Sequence, residues 1–278
     1  MLSMRRVTAT MKMVAASHLH RAQAELRLPE PFTAALQGVL PVLKRKAVAK
    51  HRVCALPPEQ RSRVLLVVLT ANRGLCGAFN SSVVREVRRW VREQTETRGI
   101  VAEAIYVGQK GYAVLKQDVS ACMKPVNTTI HPKVKETAVI SRYVMDNFLK
   151  GRYDEVWIAG NRFISVMTHE VELRRILPFR PVCAVGGASS VEAPEPLIEP
   201  ADDRIIDAVM RQWVHLDVYA ALLNSVASEH ASRVIAMENA TLNLIRMGKE
   251  QALLRNRARQ AAITNELTEI VSGAESLE

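Results

Sequence analysis

Aromatic residues make up only 5% of this 278-residue chain. Strand sandwiches and barrels lean on Phe, Tyr and Trp, so this scarcity, beside abundant Ala, Val, Leu and Met, favours helices. Cysteine is also scarce. Cys54, Cys76, Cys122 and Cys183 are scattered, with no C-x-x-C pair and no Cys/His spacing of a zinc site. They fit a reducing compartment as small buried hydrophobes. Long apolar runs are missing, and those present, such as residues 64–69, are far too short to span a bilayer. Proline vanishes after Pro200, and glycine recurs there only as Gly248 and Gly273. Proline ends helices because it lacks an N–H and clashes with the preceding turn. Its absence permits one continuous helix over residues 201–278, about 115 Å long at about 1.5 Å per residue. Such a helix cannot bury both its sides in one core, so something must run alongside it.

The apolar pattern agrees. Val209, Trp213, Leu216, Ala220, Leu223, Ala227, His230, Val234, Met237, Thr241 and Leu244 alternate spacings of four and three. That is the narrow seam of a coiled coil rather than the wider stripe of a surface helix. Asp202 and Asp203 suit the N-terminal end of the helix. The seam loses register around Gly248. Residues 1–28 lack Gly and Pro, and Met4, Val7, Met11 and Val14 repeat the same spacing, followed by His18 and Arg21. This is the expected partner strand of the coil. Pro29 and Pro31 are expected to break it, with helix resuming over residues 32–50.

Charge divides between the ends. The formal net charge is +10, a balance that invites nucleic acid, an anionic membrane or an acidic protein. Residues 1–60 hold ten Lys/Arg against three Asp/Glu, whereas residues 202–278 hold eight against eleven. The two ends are complementary, as pairing helices would be. Within the second, Arg246, Lys249, Arg255, Arg257 and Arg259 form a basic belt opposed only by Glu250. No aromatic set interleaves it to stack bases, and only acids follow Gln260, which argues against nucleic acid.

From Ser62 the texture changes. Residues 64–69 read as a buried parallel strand. A turn follows, then a helix over about 81–96, a strand over 102–107, a short helix over 110–115, a helix over 133–149, and a strand after Tyr153. Residues 163–179 read as a further strand or hairpin. Alternating strands and helices indicate a small α/β domain with a largely parallel sheet. The organisation expected is an N-terminal helical arm (1–61), the α/β domain (62–183), a Gly/Ser/Pro-rich linker (184–200) and the long C-terminal helix (201–278).

Catalytic signals are weak. The turn with Gly74 and Gly77 occupies the place of a phosphate loop but lacks both G-x-G-x-x-G and G-K-[ST]. The seven histidines show no metal or triad spacing; His18 and His20 read as solvated, and His230 as a packed polar residue on the seam. Asp202, Asp203 and Asp207 suit a helix start as well as a carboxylate cluster.

Four motifs then carry a resemblance across the chain: Thr10-Met-Lys-Met-Val-Ala-Ala-Ser, Arg73-Gly-Leu-Cys-Gly-Ala-Phe-Asn, Met237-Glu-Asn-Ala-Thr, and the long run Arg257-Ala-Arg-Gln-Ala-Ala-Ile-Thr-Asn-Glu-Leu-Thr-Glu-Ile-Val-Ser-Gly-Ala. In this order they resemble the gamma subunit of F-type rotary ATP synthase. The resemblance implies an antiparallel coiled coil of the terminal helices with an inserted Rossmann-like domain that binds no nucleotide and takes no cofactor. It implies a non-catalytic central stalk turning inside a ring of alpha and beta subunits, with its foot on the epsilon subunit and the membrane c-ring. Arg259, Gln260 and Thr264 match polar contacts with a beta-subunit loop, Met11 a position near the acidic beta-subunit lever, and Glu199 the acid at the c-ring foot. Pro196 stands where a tyrosine often precedes that acid, Asn72 where Asp is usual, and Ala78 where Gly is frequent. No cleavable presequence precedes the first motif, so the resemblance implies a bacterial subunit, peripheral on the cytoplasmic face of the inner membrane.

Overall fold

The computed structural model describes residues 2–39, 52–54, 62–179 and 202–275. Helix α1 spans Leu2–Glu25 and α2 spans Glu30–Val39. After a 3-10 turn at Arg52–Cys54 come β1 (Arg63–Leu69), α3 (Phe79–Arg98), β2 (Val101–Val107), α4 (Gln109–Leu115), β3 (Ser120–Ala121), α5 (Val134–Leu149), β4 (Glu155–Phe163) and β5 (His169–Leu177). The chain closes with α6, the 74 residues of Asp202–Glu275. At about 1.5 Å per residue this single helix is about 110 Å long.

The sheet has the order β3-β2-β1-β4-β5. β1 pairs in parallel with β2 and with β4, and β2 with β3, while β5 returns antiparallel to β4. Central β1 is buried on both faces, which is why its sequence is a continuous Val/Leu run rather than an alternation. Val64, Leu66 and Val68 pack on Val83, Val84 and Val87 of α3. Leu65, Val67 and Leu69 belong to a larger core with Ile140, Val144 and Phe148 of α5 and Met210, Val214, Val218 and Leu222 of α6. The long helix is therefore one layer of the α/β domain as well as one strand of the coil. The turn from β2 into α4 is tight: Gly108 has φ of +92°, and a Cβ there would lie 2.1 Å from the carbonyl oxygen of Thr70. Only glycine fits.

Three contacts fix the direction of the coiled coil. Thr8 meets Thr241, Lys12 meets Glu238, and the rings of His18 and His230 lie 5.3 Å apart. Rising numbers on α1 meet falling numbers on α6, so the two helices are antiparallel.

Several expectations need correction. The seam of α1 is not Met4-Val7-Met11-Val14, whose side chains are 40–61% exposed. The sheltered row is Thr8, Lys12, Ala15, Leu19, Ala22 and Leu26, one position further on, with Ala15 and Ala22 at 1% exposure. Small residues there let the helix axes approach, and the larger side chains are left on the flank. On α6 none of the expected seam residues is exposed, but the shelter is wider than a seam. Residues 222–232 are buried or half-buried on every side, because the sheet and α5 cover what α1 does not. The expected break between the first two helices falls at residues 26–29, and helix resumes at Glu30 rather than Phe32, with Pro31 in the first turn of α2, where a missing N–H costs no intrahelical bond. β3 is too short to show in the sequence. Residues 40–51, 55–61 and 180–201, and with them the expected linker and Glu199, lie outside the described residues.

Candidate partner-contact surface

α6 has two halves of opposite character. The first is clamped. Arg174 of β5 makes two hydrogen bonds of 2.7 Å to the carboxylate of Asp217. Arg211 reaches Asp146 of α5 at 2.7 Å, and the Phe163 amide donates to Asn224 at 3.3 Å. With the shared apolar core, these ties make the helix and the α/β domain a single stiff body.

The second half is bare. Every side chain from Lys249 to Ile270 is exposed. Counted from the Thr8–Thr241 contact, the first described residues of α1 lie about level with Gly248 of α6. Nothing else among the described residues reaches further. Yet the surface is not merely polar. Leu253, Ile263, Leu267 and Ile270 are exposed, and at about 100° per residue they share a stripe with Asn256 and Gln260. Arg259 and Arg257 border that stripe on opposite sides. An exposed apolar stripe edged by charge is the mark of a contact surface.

The expected contact residues separate into three places. Arg259, Gln260 and Thr264 lie together on successive turns of the bare helix, where the Thr264 hydroxyl donates to the Gln260 carbonyl at 2.9 Å. Met11 lies elsewhere, on the exposed flank of α1. Its neighbour Lys12 pairs with Glu238, which is 21 residues before Arg259, so Met11 is about 30 Å from the trio along the shaft. Glu199 is outside the described residues.

The glycine turn after β1 is tied to the segments around it, although the Asn72 Oδ1 is left without a partner. The Ala71 amide donates to the Asn80 side chain at 2.9 Å, and Asn72 donates to the Thr128 carbonyl at 2.7 Å. Thr70 Oγ1 accepts from the Gly111 amide and donates to the Val107 carbonyl, both at 3.0 Å. Leu75 stands exposed at φ of +64°. A Cβ on Gly77 would sit 3.8 Å from Ala236 of α6. The turn is thus a bracket against the long helix, and its Asn72, Arg73, Gly74 and Leu75 form one side of a cleft shared with α1 and α6. Cys76, within the turn, is buried, which raises its thiol pKa.

Sequence reasoning missed the surroundings of His18. It is half-buried against His230 and against His131 of the segment before α5, with ring centroids 5.3 and 5.6 Å away. Only the fold brings these three residues together.

The chain matches the family described as ATP synthase over residues 1–277. A relative in Geobacter metallireducens, named ATP synthase gamma chain, is 35% identical over 277 residues, covering 98% of this chain and 93% of its own length. One of the same name in Geotalea uraniireducens is 34% identical over 273 residues, with the same two shares. Among solved structures, a chain of the Tetrahymena thermophila mitochondrial ATP synthase central stalk and c-ring is 27% identical, with a TM-score of 0.63, covering 84% of this chain and 99% of that one. A chain from the Euglena gracilis mitochondrial ATP synthase, 17% identical with a TM-score of 0.57, covers 100% of this chain and 95% of its own and shares the fold. This chain belongs to the ATP synthase gamma-chain family.

Proposed function

We propose that the chain is the central-stalk rotor of an F-type ATP synthase. It couples ion flow through a membrane c-ring to ATP synthesis and hydrolysis at alpha/beta catalytic sites. The observation that carries this reading is the two-part character of α6. One half is locked into the α/β domain by the core and by Arg174–Asp217 and Arg211–Asp146. The other projects with nothing among the described residues to cover it. A shaft needs both: a grip that takes torque and a bare length that turns inside another body.

The chain itself carries no chemical step in this reading. Arg259, Gln260 and Thr264 contact a beta-subunit loop, Met11 faces the acidic lever of a beta subunit, and Glu199 serves the foot on the c-ring beside the epsilon subunit. Because the helix is apolar on one side and flanked by arginines, each catalytic site around it meets a different surface. Differential contact is a coupling free energy, and turning the shaft passes that bias from site to site. The subunit is peripheral, held on the cytoplasmic face of a bacterial inner membrane through the complex. Among the described residues no helix is long and apolar enough to cross a membrane.

Purification of the native complex in mild detergent, followed by subunit identification, tests this. The chain is expected to travel with alpha, beta, epsilon and c subunits; its persistent absence from that complex overturns the reading.

A further inference from the structure

Where the coiled coil enters the α/β domain, three histidines from three separate segments meet. His18 comes from α1, His230 from α6 and His131 from the segment before α5. Through this ring packing α1 touches both α6 and the segment before α5. His230 is 5% exposed, and its Nδ1 lies 3.2 Å from an Arg233 nitrogen that can only donate, so that ring nitrogen is unprotonated. Nδ1 of His18 and both ring nitrogens of His131 are sheltered from solvent without a hydrogen bond. His131 Nδ1 lies 3.3 Å from Glu25 Oε1 but lacks hydrogen-bond geometry. No group of three or more His, Cys, Asp and Glu side chains among the described residues is arranged to hold a metal ion. An imidazole cluster of this kind responds to the proton.

The charges facing the rings set the direction of the response. Arg21 and Glu25 come from α1, Glu229 and Arg233 from α6, and Arg73 from the turn that lines the same cleft of about 840 Å³. Glu229 is already engaged by Arg233 at 2.5 Å. A proton added to His18 or His230 therefore places a cation beside two other imidazoles and beside Arg21 or Arg233, whereas the one carboxylate near the rings that is not engaged by an arginine, Glu25, faces His131. Neutral rings can pack at these separations; charged ones repel.

We propose that His18, His131 and His230 form a proton-operated latch holding α1 to both α6 and the α/β domain, closed when the rings are neutral and opened by protonation of His18 or His230. The latch does not depend on the rotor reading. It concerns this chain's own helices, and its failure would leave that reading untouched. Burial first, then Arg233 and the other two rings, push His230 down to about 4, and burial lowers His18 in the same way. A histidine lowered in the folded state binds protons more readily when unfolded. Its stabilising effect is complete above the ordinary histidine value of about 6.5 and is lost as pH falls from there toward about 4.

The test uses the full chain. Amide hydrogen exchange, corrected for intrinsic rate, is followed at residues 12–22 and at β1 between pH 7.5 and pH 5.5. Histidine titration is followed by NMR in the same sample. The expected result is a loss of protection of at least about tenfold in residues 12–22 with β1 unchanged, and His230 and His18 titrating below 6.5. The combined variant H18Q/H131Q/H230Q is expected to keep the protection of residues 12–22 constant over that range. Unchanged protection in the wild-type chain, or His230 titrating at or above 6.5, overturns the latch. If the variant fails to fold, the two wild-type measurements decide alone.

Discussion

Thr8 and Thr241 stand 233 residues apart in the sequence, yet the Thr241 hydroxyl donates a hydrogen bond of 2.8 Å to that of Thr8. Together with Lys12–Glu238 this contact pins the register of the coil near its open end. The ion pair is half-exposed and worth little, of the order of 0–1 kcal/mol. Shape, rather than charge, holds the helices here.

That distinction is testable on α1. Replacing buried Leu19 with Ala removes methyl groups from the shared core and is expected to cost about 2–4 kcal/mol in urea unfolding of the full chain. Replacing exposed Met4 or Val7 with Ser is expected to change stability by less than about 0.5 kcal/mol.

The same comparison shows what the sequence could and could not reveal. The missing proline announced α6, and the Val/Leu run announced β1, because both signals arise within one element. The seam of α1 was misread by one position. Met4, Val7 and Met11 are the larger hydrophobes, but Thr8, Lys12 and Ala15 face the partner. Their small size, or in Lys12 a flexible stem with a charge that reaches Glu238, allows close approach. Periodicity records spacing, not which row is covered. His18 was read as solvated for a similar reason: its neighbours His131 and His230 are distant in sequence. The contact trio Arg259, Gln260 and Thr264 owes its assignment to family resemblance. In pattern alone it is an ordinary polar helix face, and the structure adds only that nothing among the described residues covers it.

The grip between β5 and α6 has its own prediction. The bidentate pair of Arg174 and Asp217 is partly buried, with Glu172 beside it at 3.6 Å. A double-mutant cycle of Arg174→Ala and Asp217→Ala is expected to give a coupling of about 1–2 kcal/mol by thermal or urea unfolding. Coupling below about 0.3 kcal/mol would mean that this ion pair adds nothing to the join between sheet and helix.

Gly108→Ala is expected to be among the most damaging substitutions in the chain. Its positive φ and the 2.1 Å approach to the Thr70 carbonyl leave no room for a methyl group. A loss of about 3 kcal/mol or more, or failure to fold, is expected from unfolding or expression measurements. Full stability in the variant would show that the β2–α4 turn has another conformation available.

Alkaline pH should weaken the domain through Tyr106. Burial raises its phenol, whose hydroxyl donates to the Val119 carbonyl at 2.7 Å. A phenol raised in the folded state contributes stability that is present below its unfolded value of about 10 and is lost as pH rises beyond it. Tyr106→Phe reduces that dependence, the raised phenols of Tyr153, Tyr143 and Tyr219 keeping the rest, while costing about 1 kcal/mol at neutral pH, as read from unfolding curves at pH 7 and pH 11.

Arg259→Ala separates stability from function. Its side chain is exposed, so unfolding of the isolated chain is expected to change by less than about 0.5 kcal/mol. Coupled ATP synthesis by the assembled complex is expected to fall severalfold, because a contact made only with the partner is lost. Unchanged synthesis would remove Arg259 from the contact surface.

The most direct test of the rotor reading fixes the alpha/beta ring to a support and attaches a visible bead to the α/β domain of this chain. ATP is then supplied to the complex. The bead is expected to turn in one direction for as long as ATP is hydrolysed. Hydrolysis with a stationary bead would contradict the account.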